Sequence, residues 1–365
     1  MKVLQITTHF NVGGITNYIL TLSRALAGKD IQTVVFSSGG DMEAELSKSG
    51  IPHRKVGIKT KFELAPKVIA AGFKAAAIIK NENIDIIHAH TRVSQVAAAI
   101  ASRFTGVPYV TTCHGYFKKR LRGILDTWGM KVIAISGAVR KHLEADLGVD
   151  AGRIALIYSG VDAAKFSHGY SQDEIISAKR SLGLKGGPVI GAIGRLSPVK
   201  GHEFLLRAMK DIIAAKPGAQ CLIIGDGEER SRLESLAGSS GIDSSVKFVE
   251  SCPDTHKYLS LMDVFIFPSI KEGLGIALLE ALAAGRACVA SRIGGIENII
   301  EDGRNGLLVG VADPAAIAAA VKTLLGDEGL RKRMGAEGRA LVAAKFTLDS
   351  MAVKIAELYR ETVKR

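Results

Sequence analysis

Two carboxylates, those of Glu272 and Glu280, flank the glycine-rich stretch Gly273-Leu274-Gly275. On one continuous helix their positions would be about 80° apart, so they would not share a face. The two glycines predict instead that Glu272 lies in a loop and that Glu280 lies about a turn into the following helix. Both carboxylates could then line one pocket and accept hydrogen bonds from ribose or hexose hydroxyls, while the amides of this stretch face an anion.

A pair of cations follows the apolar segment at 189–193. Gly194 and Arg195 come directly after that segment, and Lys200 stands five residues after Arg195. Beside glycines at a strand-to-helix turn, two cations can neutralise a diphosphate without a metal ion. Solvated surface charges are the alternative interpretation. Cations for phosphate together with carboxylates for sugar hydroxyls are typical of a nucleotide-sugar site.

A further glycine, Gly225, follows the segment 220–224. The surrounding residues could be read as a dinucleotide fingerprint, but Arg230 stands where that motif needs its third glycine. A tight strand-to-helix turn is therefore the better interpretation.

The first half of the chain offers weaker signals. Gly13 and Gly14 open a predicted helix, where their amides could approach an anion or form an ordinary turn. His114 follows the segment 109–113 and precedes Gly115. A lone histidine is more often structural than catalytic, but a position at the end of a strand favours a site.

These residues lie at the ends of short β-branched segments that alternate with amphipathic ones. Strands are predicted in two series, at 3–7, 33–38, 84–88, 109–113 and 131–135, and at 189–193, 220–224, 246–249, 264–267, 287–290 and 306–309. Strands this apolar indicate parallel sheets covered on both faces. The sequence therefore predicts an α/β protein with two doubly wound domains, whose ligands bind beyond the carboxyl ends of the strands.

The expected domains are an acceptor-side N-terminal domain at 1–170 and a nucleotide-sugar domain at 171–346. A helix at 347–365 is expected to pack back on the first domain.

The two halves differ in charge. Residues 1–170 carry 22 Lys and Arg against 12 Asp and Glu, a balance of +10 within the net +12 of the chain. This excess favours a polyanion or an anionic membrane surface as partner. Part of it lies in a run interleaved with aromatic and aliphatic residues, comprising Lys118, Lys119, Arg120 and Arg122. Such a run suits docking on anionic headgroups, and a solvated basic face is the alternative; nucleic acid is not expected.

Hydropathy, the N-terminal residues and the cysteines bear on the cellular compartment of the protein. No apolar stretch reaches the ~18 residues of a transmembrane helix, and the N-terminus lacks the features of a signal peptide. Four scattered cysteines indicate neither a disulfide framework nor a zinc site. We expect a cytoplasmic protein, with peripheral contact to the inner membrane face.

Together these motifs make the sequence resemble the retaining glycosyltransferases of family 4, whose GT-B architecture has two facing Rossmann-like domains and an interdomain cleft. The resemblance covers essentially the whole chain. Its motifs are Gly13-Gly14, His114-Gly115, Ser159-Gly160-Val161-Asp162 with Phe166, Gly194-Arg195-Leu196, Lys200-Gly201, Gly225-Asp226-Gly227, Glu272 with Glu280, Gly294-Gly295-Ile296-Glu297, and Gly303 with Gly306-Leu307-Leu308-Val309. Ser159 departs from the family, which usually has Asn there.

The resemblance implies transfer of a sugar from a nucleoside diphosphate sugar, expected to be a UDP-sugar, with retention of anomeric configuration. It implies a glycan or lipid-linked glycan acceptor, as in polysaccharide or lipopolysaccharide synthesis for the cell envelope. No metal ion or other cofactor is implied, because the two cations take the place of a metal.

The resemblance also implies residue roles. Arg195 and Lys200 would hold the diphosphate leaving group, and Glu272 and His114 would contact the transferred sugar. The implied donor-binding residues are Gly13, Gly14, Gly194, Gly225, Gly273, Leu274, Gly275 and Glu280. Within this set, Glu280 would bind the ribose and Gly14 would donate its amide to the diphosphate.

Two other function classes remain open at this point. One is a GT-B enzyme of another kind, a nucleotide-sugar epimerase or a phosphorylase. The other is a non-catalytic protein that binds nucleotide or sugar.

Overall fold

A computed structural model of the chain describes residues 1–117, 127–252 and 254–364. The chain divides into two compact units, one formed by Met1–Gly160 with Leu348–Arg365 and the other by Val161–Thr347. The first unit therefore ends before the expected boundary at 170, because the short helix carrying the buried Phe166 packs on helices of the second unit. Each unit is built on a parallel sheet with helices, which confirms the predicted fold class.

Seven parallel strands form the sheet of the first unit. They are β1 Lys2–Ile6, β2 Gln32–Ser37, β3 His53–Lys55, β4 Ile86–Ala89, β5 Tyr109–Cys113, β6 Lys131–Ala134 and β7 Ile154–Leu156. Their order across the sheet is β3-β2-β1-β4-β5-β6-β7. Five of them match predicted segments to within two residues. The sequence did not predict β3 and β7, because three residues are too few to show a strand pattern.

The helices of this unit cover both faces of the sheet. They are α1 Gly14–Ala27, α2 Glu43–Lys48, α3 Pro66–Glu82, α4 Arg92–Thr105 and α5 Gly137–Lys141, the last extended by a π turn at His142–Asp146. Adjacent residues of β1 point to opposite faces. Val3 belongs to the core cluster shared with α1, whereas Leu4 belongs to the cluster shared with α3 and α4.

The second unit repeats this arrangement with six parallel strands. Its elements are α6 Ala163–Ser167, α7 Gln172–Ser181, β8 Val189–Ile193, α8 His202–Ala215, β9 Gln220–Ile224, α9 Arg230–Ser239, β10 Val246–Val249, α10 His256–Ser260, β11 Val264–Phe267, α11 Ile276–Ala283, β12 Ala287–Ser291, β13 Leu307–Val309, α12 Pro314–Gly326 and α13 Glu328–Lys345. The strand order is β10-β9-β8-β11-β12-β13. Every residue of β8, β9, β11 and β12 is buried, as expected for a sheet covered on both faces.

The last helix, α14 Leu348–Val363, belongs to the first unit, where it packs on α1. Met351, Ile355 and Tyr359 are buried at intervals of four residues, which places them on one face of the helix. That face joins the same core cluster as Val3 of β1.

Strand adjacency decides which loops meet. In the second unit β8 lies between β9 and β11, so the three turns that follow these strands share one edge of the sheet. In the first unit β4 lies between β1 and β5, and the segments that follow these strands also share an edge.

Candidate active site

A lysine and a glutamate meet at the carboxyl ends of β8 and β11. Lys200 ends the short 3-10 turn Pro198–Lys200, and Glu272 lies in the loop before α11. The Lys200 ammonium forms an ion pair with Oε2 of Glu272 and lies 5.5 Å from the centre of the Phe267 ring. The other oxygen, Oε1, accepts a hydrogen bond of 3.1 Å from the Gly273 amide. Both side chains of the ion pair are partly exposed, so a ligand can reach them.

Backbone contacts hold these two turns together. The Ile270 amide donates to the Val199 carbonyl at 2.9 Å. Gly201 has φ +66°, and a Cβ at this position would lie 2.1 Å from the Pro268 carbonyl oxygen. A side chain at residue 201 would therefore push the turns apart, and glycine there keeps the ion pair in register.

Arg195 extends from the same edge of the sheet. It is exposed and makes no ion pair with the residues that the structure describes. The amide of the preceding Gly194 donates to the Ile224 carbonyl at 3.0 Å. A Cβ on Gly225 would lie 2.0 Å from the Gly194 oxygen, so close packing of the two turns accounts for glycine at 225. Helix α9 begins only at Arg230, as the tight-turn interpretation expects.

The second carboxylate lies inside a helix. Helix α11 follows Gly275, whose φ is +95°, and Glu280 is its fifth residue. Glu280 Oε2 accepts a 2.9 Å hydrogen bond from Thr255 Oγ1. Loss of hydration raises the pKa of the Glu280 carboxyl to about 7, although the Thr255 hydrogen bond acts in the opposite direction. Gly273, Leu274 and Gly275 are all buried.

The structure does not join the two carboxylates directly. Within the described residues, Glu272 is paired with Lys200 and Glu280 with Thr255, and no hydrogen bond links the two glutamates. That both carboxylates bind one ligand is proposed below.

Two buried hydroxyls in the same turns were missed by the sequence analysis. Ser197 Oγ follows β8 and Ser269 Oγ follows β11, and neither has a hydrogen-bond partner among the described residues. A buried hydroxyl without a partner costs free energy, so both are candidates for ligand contact. Serine is common in turns, so its type gave no signal.

In the first unit, Gly13 and Gly14 stand where α1 begins. Both are exposed. A Cβ on Gly14 would meet nothing within 4 Å, and one on Gly13 would meet only the Asn11 carbonyl at 4.0 Å. The packing of the protein therefore does not require glycine here, whereas the close approach of a ligand to the backbone would.

His114 follows β5 and contacts other aromatic rings. Its Nε2 lies 3.1 Å from Nδ1 of His90, and the Tyr18 ring packs against it edge-on, with 4.8 Å between ring centroids. Burial lowers the pKa of His114 to about 3, so the ring is neutral. His90 and its partner Gln5 were not predicted from the sequence, although the alternation in His88-Ala89-His90 indicates two histidines on one strand face.

One predicted feature, the basic run, lies outside the described residues, and two other kinds of site were searched for among the described ones. Lys118, Lys119, Arg120 and Arg122 lie outside the described residues. Within 1–117, 127–252 and 254–364, no three His, Cys, Asp or Glu residues are grouped as a metal site needs. No helix among these residues combines the length and the apolar character needed to cross a membrane.

Comparison with known proteins identifies the family. The family model described as "Glycosyltransferase Family 4" matches residues 12–165, and "Glycosyl transferases group 1" matches residues 174–341. The D-inositol 3-phosphate glycosyltransferase of Frankia alni is 30% identical, over 97% of this chain and 95% of the relative. The protein of the same name from Acidothermus cellulolyticus is 29% identical, over 99% and 88% respectively.

Solved structures agree on the fold. Anabaena HepE, solved in complex with UDP-glucose, has a TM-score of 0.88 at 24% identity, over 99% of this chain and 100% of its own. A glycosyltransferase from Rickettsia africae has a TM-score of 0.88 at 22% identity, over 100% and 99%. The resemblance to family 4 is thereby confirmed. The chain belongs to glycosyltransferase family 4, and it is a glycosyltransferase with the GT-B fold.

Proposed function

We propose that this glycosyltransferase moves a sugar from a UDP-sugar to a glycan or lipid-linked glycan, with retention of anomeric configuration and without a divalent metal ion. The observation that carries the proposal is the Lys200–Glu272 ion pair at one sheet edge, together with Arg195, which has no ion-pair partner among the described residues. Two cations at that edge suit a diphosphate, and a carboxylate beside them suits sugar hydroxyls.

The residue roles follow from these contacts. Arg195 and Lys200 stabilise the negative charge that develops on the departing nucleoside diphosphate. Glu280, held by Thr255, accepts hydrogen bonds from the ribose, and Glu272 accepts them from the transferred sugar. Because the cations already provide the charge that a metal ion would bring, no metal is needed at the leaving group.

The remaining donor contacts come from backbone amides and from the first unit. We assign the amides of Leu274 and Gly275, at the start of α11, to the donor, because the helix dipole there favours an anion. The Gly273 amide, which donates to Glu272 Oε1, would exchange that partner for the ligand. We assign the Gly14 amide to the diphosphate and His114 to the transferred sugar. UDP is the proposed nucleotide, supported by the UDP-glucose complex of the structurally similar Anabaena protein.

Two observations bear on the acceptor. The relatives named above are D-inositol 3-phosphate glycosyltransferases, so an inositol phosphate is the first soluble acceptor to test. The basic excess of residues 1–170 suits any anionic acceptor, including a lipid-linked glycan phosphate.

The deciding experiment measures nucleoside diphosphate release from UDP-, GDP- and ADP-sugars, each with and without inositol 3-phosphate and lipid-linked glycan acceptors. The proposal expects release from a UDP-sugar that depends on an acceptor, and a product whose anomeric configuration by NMR equals that of the donor. Conversion of a UDP-sugar without an acceptor indicates an epimerase, and sugar 1-phosphate formation from a glycan and phosphate indicates a phosphorylase. Binding without turnover indicates a non-catalytic protein.

We also propose peripheral contact of the first unit with anionic membranes. Five large apolar side chains of this unit are exposed on or next to α3 and α4: Phe62, Leu64, Ile69, Phe73 and Phe104. The rings of Phe73 and Phe104 are 4.9 Å apart. Exposed cations accompany them, namely Lys59, Lys61, Lys67, Lys74 and Arg103. Apolar side chains among cations suit the interface of an anionic bilayer.

A further inference from the structure

A row of buried polar side chains crosses the sheet of the first unit beside His114. Gln5 on β1 pairs in register with His88 on β4, and His90 lies two residues beyond His88. Tyr359 comes from α14. These four side chains have no exposed surface. Burial of polar groups is costly unless each finds a hydrogen-bond partner, and here each does.

These side chains are joined by one continuous chain of hydrogen bonds. Nδ1 of His90 lies 3.1 Å from Nε2 of His114, and Nε2 of His90 lies 2.5 Å from Oε1 of Gln5. Gln5 Nε2 donates to the Tyr359 hydroxyl at 3.2 Å. That hydroxyl lies 2.6 Å from Nδ1 of His88, whose Nε2 lies 2.7 Å from Thr112 Oγ1.

The side-chain amide of Gln5 gives this chain a direction. Its carbonyl oxygen can only accept, so Nε2 of His90 must carry a proton. A neutral imidazole has one ring proton, so Nδ1 of His90 accepts and Nε2 of His114 donates. Burial keeps both rings neutral, because it lowers the pKa of His114 to about 3 and that of His90 well below its usual value.

The Tyr359 hydroxyl, which can both donate and accept, is compatible with this orientation of the amide. It accepts a hydrogen from Gln5 Nε2 and donates its own to His88 Nδ1, so His88 donates from Nε2 to Thr112. If the Gln5 amide were flipped, its nitrogen would lie 2.5 Å from Nε2 of His90. The flip would also reverse every donor and acceptor along the chain and move the His114 proton to Nδ1.

We propose that Gln5 is a positioning residue that fixes His114 as its Nε2–H tautomer, so that His114 Nδ1 accepts a hydrogen bond from a substrate hydroxyl. Nδ1 has no partner within the described part of the chain, and His114 is partly exposed. His114 then orients a hydroxyl and does not act as a general acid. Only the identity of that hydroxyl as a sugar hydroxyl rests on the proposed function; the tautomer does not.

The test is NMR of the ligand-free protein with ¹⁵N-labelled histidine, in which protonated and unprotonated ring nitrogens resonate far apart. Single His→Gln variants assign the signals. The expected result at neutral pH is protonated Nε2 and unprotonated Nδ1 for both His90 and His114. Gln5→Met keeps the length of the side chain but removes the carbonyl, and should turn the His114 signals into a mixture of tautomers. Gln5→Glu retains an oxygen acceptor and should keep the Nε2–H tautomer.

Thr111→Val is the matched control, since Thr111 is a buried neighbour of Thr112 on β5 whose hydroxyl donates to the Trp128 carbonyl and takes no part in this chain of hydrogen bonds; it should leave the His114 tautomer unchanged. Turnover on the donor selected by the release assay should fall roughly tenfold in Gln5→Met and recover in Gln5→Glu. An Nδ1–H tautomer or an imidazolium for wild-type His114 overturns the proposal, and this measurement needs no variant to fold. A His114 tautomer unchanged in a folded Gln5→Met overturns it too.

A changed tautomer with unchanged turnover overturns the positioning role while leaving the glycosyltransferase assignment intact. Conversely, failure of every donor in the release assay rejects the proposed function but leaves the NMR result interpretable.

Discussion

The ammonium of Lys200 is paired with the carboxylate of Glu272, although 72 positions separate them in the sequence. Strands β8 and β11 are neighbours in the sheet, so the turns that follow them end side by side. The pair balances charge in the free protein. In the proposed function, a diphosphate bound here would give the lysine a second anionic partner, and Glu272 could then accept hydrogen bonds from a sugar.

The first prediction concerns the two cations. Arg195→Ala or Lys200→Ala should slow sugar transfer by ~10²–10³, comparable to loss of one donor in an oxyanion hole. Stability should change little, because a partly exposed ion pair contributes about 0–1 kcal/mol. The measurements are the donor-release assay and thermal unfolding.

Lys332→Ala is the control, because Lys332 forms an ion pair with Glu328 on α13; it should leave transfer unchanged. Activity should also persist in EDTA. Near-normal turnover of both alanine variants at the site would remove the diphosphate assignment, and loss of activity in EDTA would remove the metal-free mechanism.

The second prediction concerns pH and Glu280. Its pKa is raised to about 7 in the folded protein, and the ionised carboxylate is the stronger acceptor for ribose hydroxyls. UDP binding should therefore strengthen as pH rises from 6 to 8. Glu280→Gln should weaken UDP binding by ~1.5–3 kcal/mol at pH 8 and by less at pH 6. Calorimetry at the two pH values measures both effects.

Stability should depend on Glu280 in the opposite sense. A carboxyl whose pKa is higher folded than unfolded stabilises the fold below its unfolded pKa, and this contribution disappears as pH rises through about 7. Glu280→Gln should remove that part of the pH dependence of unfolding. Equal UDP affinity of both proteins at pH 8 would indicate that Glu280 only holds Thr255.

The third prediction concerns membrane contact. Wild-type protein should co-sediment with anionic but not neutral vesicles, and less at high salt, since salt screens the attraction. Phe73→Ser combined with Phe104→Ser should weaken this binding roughly tenfold or more. Ile176→Ser is the control, because Ile176 is an exposed apolar residue of α7 in the other unit.

The basic run provides a second arm of this experiment. Neutralising Lys118, Lys119, Arg120 and Arg122 together should weaken anionic binding further. If only this change matters, contact lies at the basic run and not at α3 and α4. Equal binding to both lipids, or none to either, removes the membrane proposal.

Much of the fold could be predicted from local pattern. The strands of the second unit were found to within a residue, because buried parallel strands are continuous apolar runs bounded by glycine turns. The break between Glu272 in a loop and Glu280 in a helix also followed from local glycines. These features depend on residues that are close in sequence.

What could not be predicted depends on pairing between distant segments. The Lys200–Glu272 contact requires that β8 lie next to β11. The chain from His114 to Gln5 requires the β1–β4 register and the return of α14 with Tyr359. A sequence pattern shows that His88 and His90 share a strand face, but it does not show which side chains meet them there.

The fourth prediction separates glycines needed by the fold from glycines needed by a ligand. A Cβ on Gly14 meets nothing within 4 Å, whereas one on Gly225 would lie 2.0 Å from the Gly194 oxygen at a φ of +150°. Gly14→Ala should leave stability unchanged or raise it by less than about 1 kcal/mol, since alanine favours helix over glycine. It should nevertheless slow transfer, because the methyl group blocks approach to the amide. Gly225→Ala should lower stability, because backbone must move to admit the methyl group.

Thermal unfolding and the donor-release assay, applied to the wild type, Gly14→Ala and Gly225→Ala, measure both effects. The expected result is a stable but slow Gly14→Ala and a destabilised Gly225→Ala. Normal transfer by Gly14→Ala would mean that no ligand approaches this amide, and the diphosphate contact would then have to come from the second unit alone. Unchanged stability of Gly225→Ala would mean that the turn after β9 can yield, which would reopen ligand contact as the reason for glycine at that position.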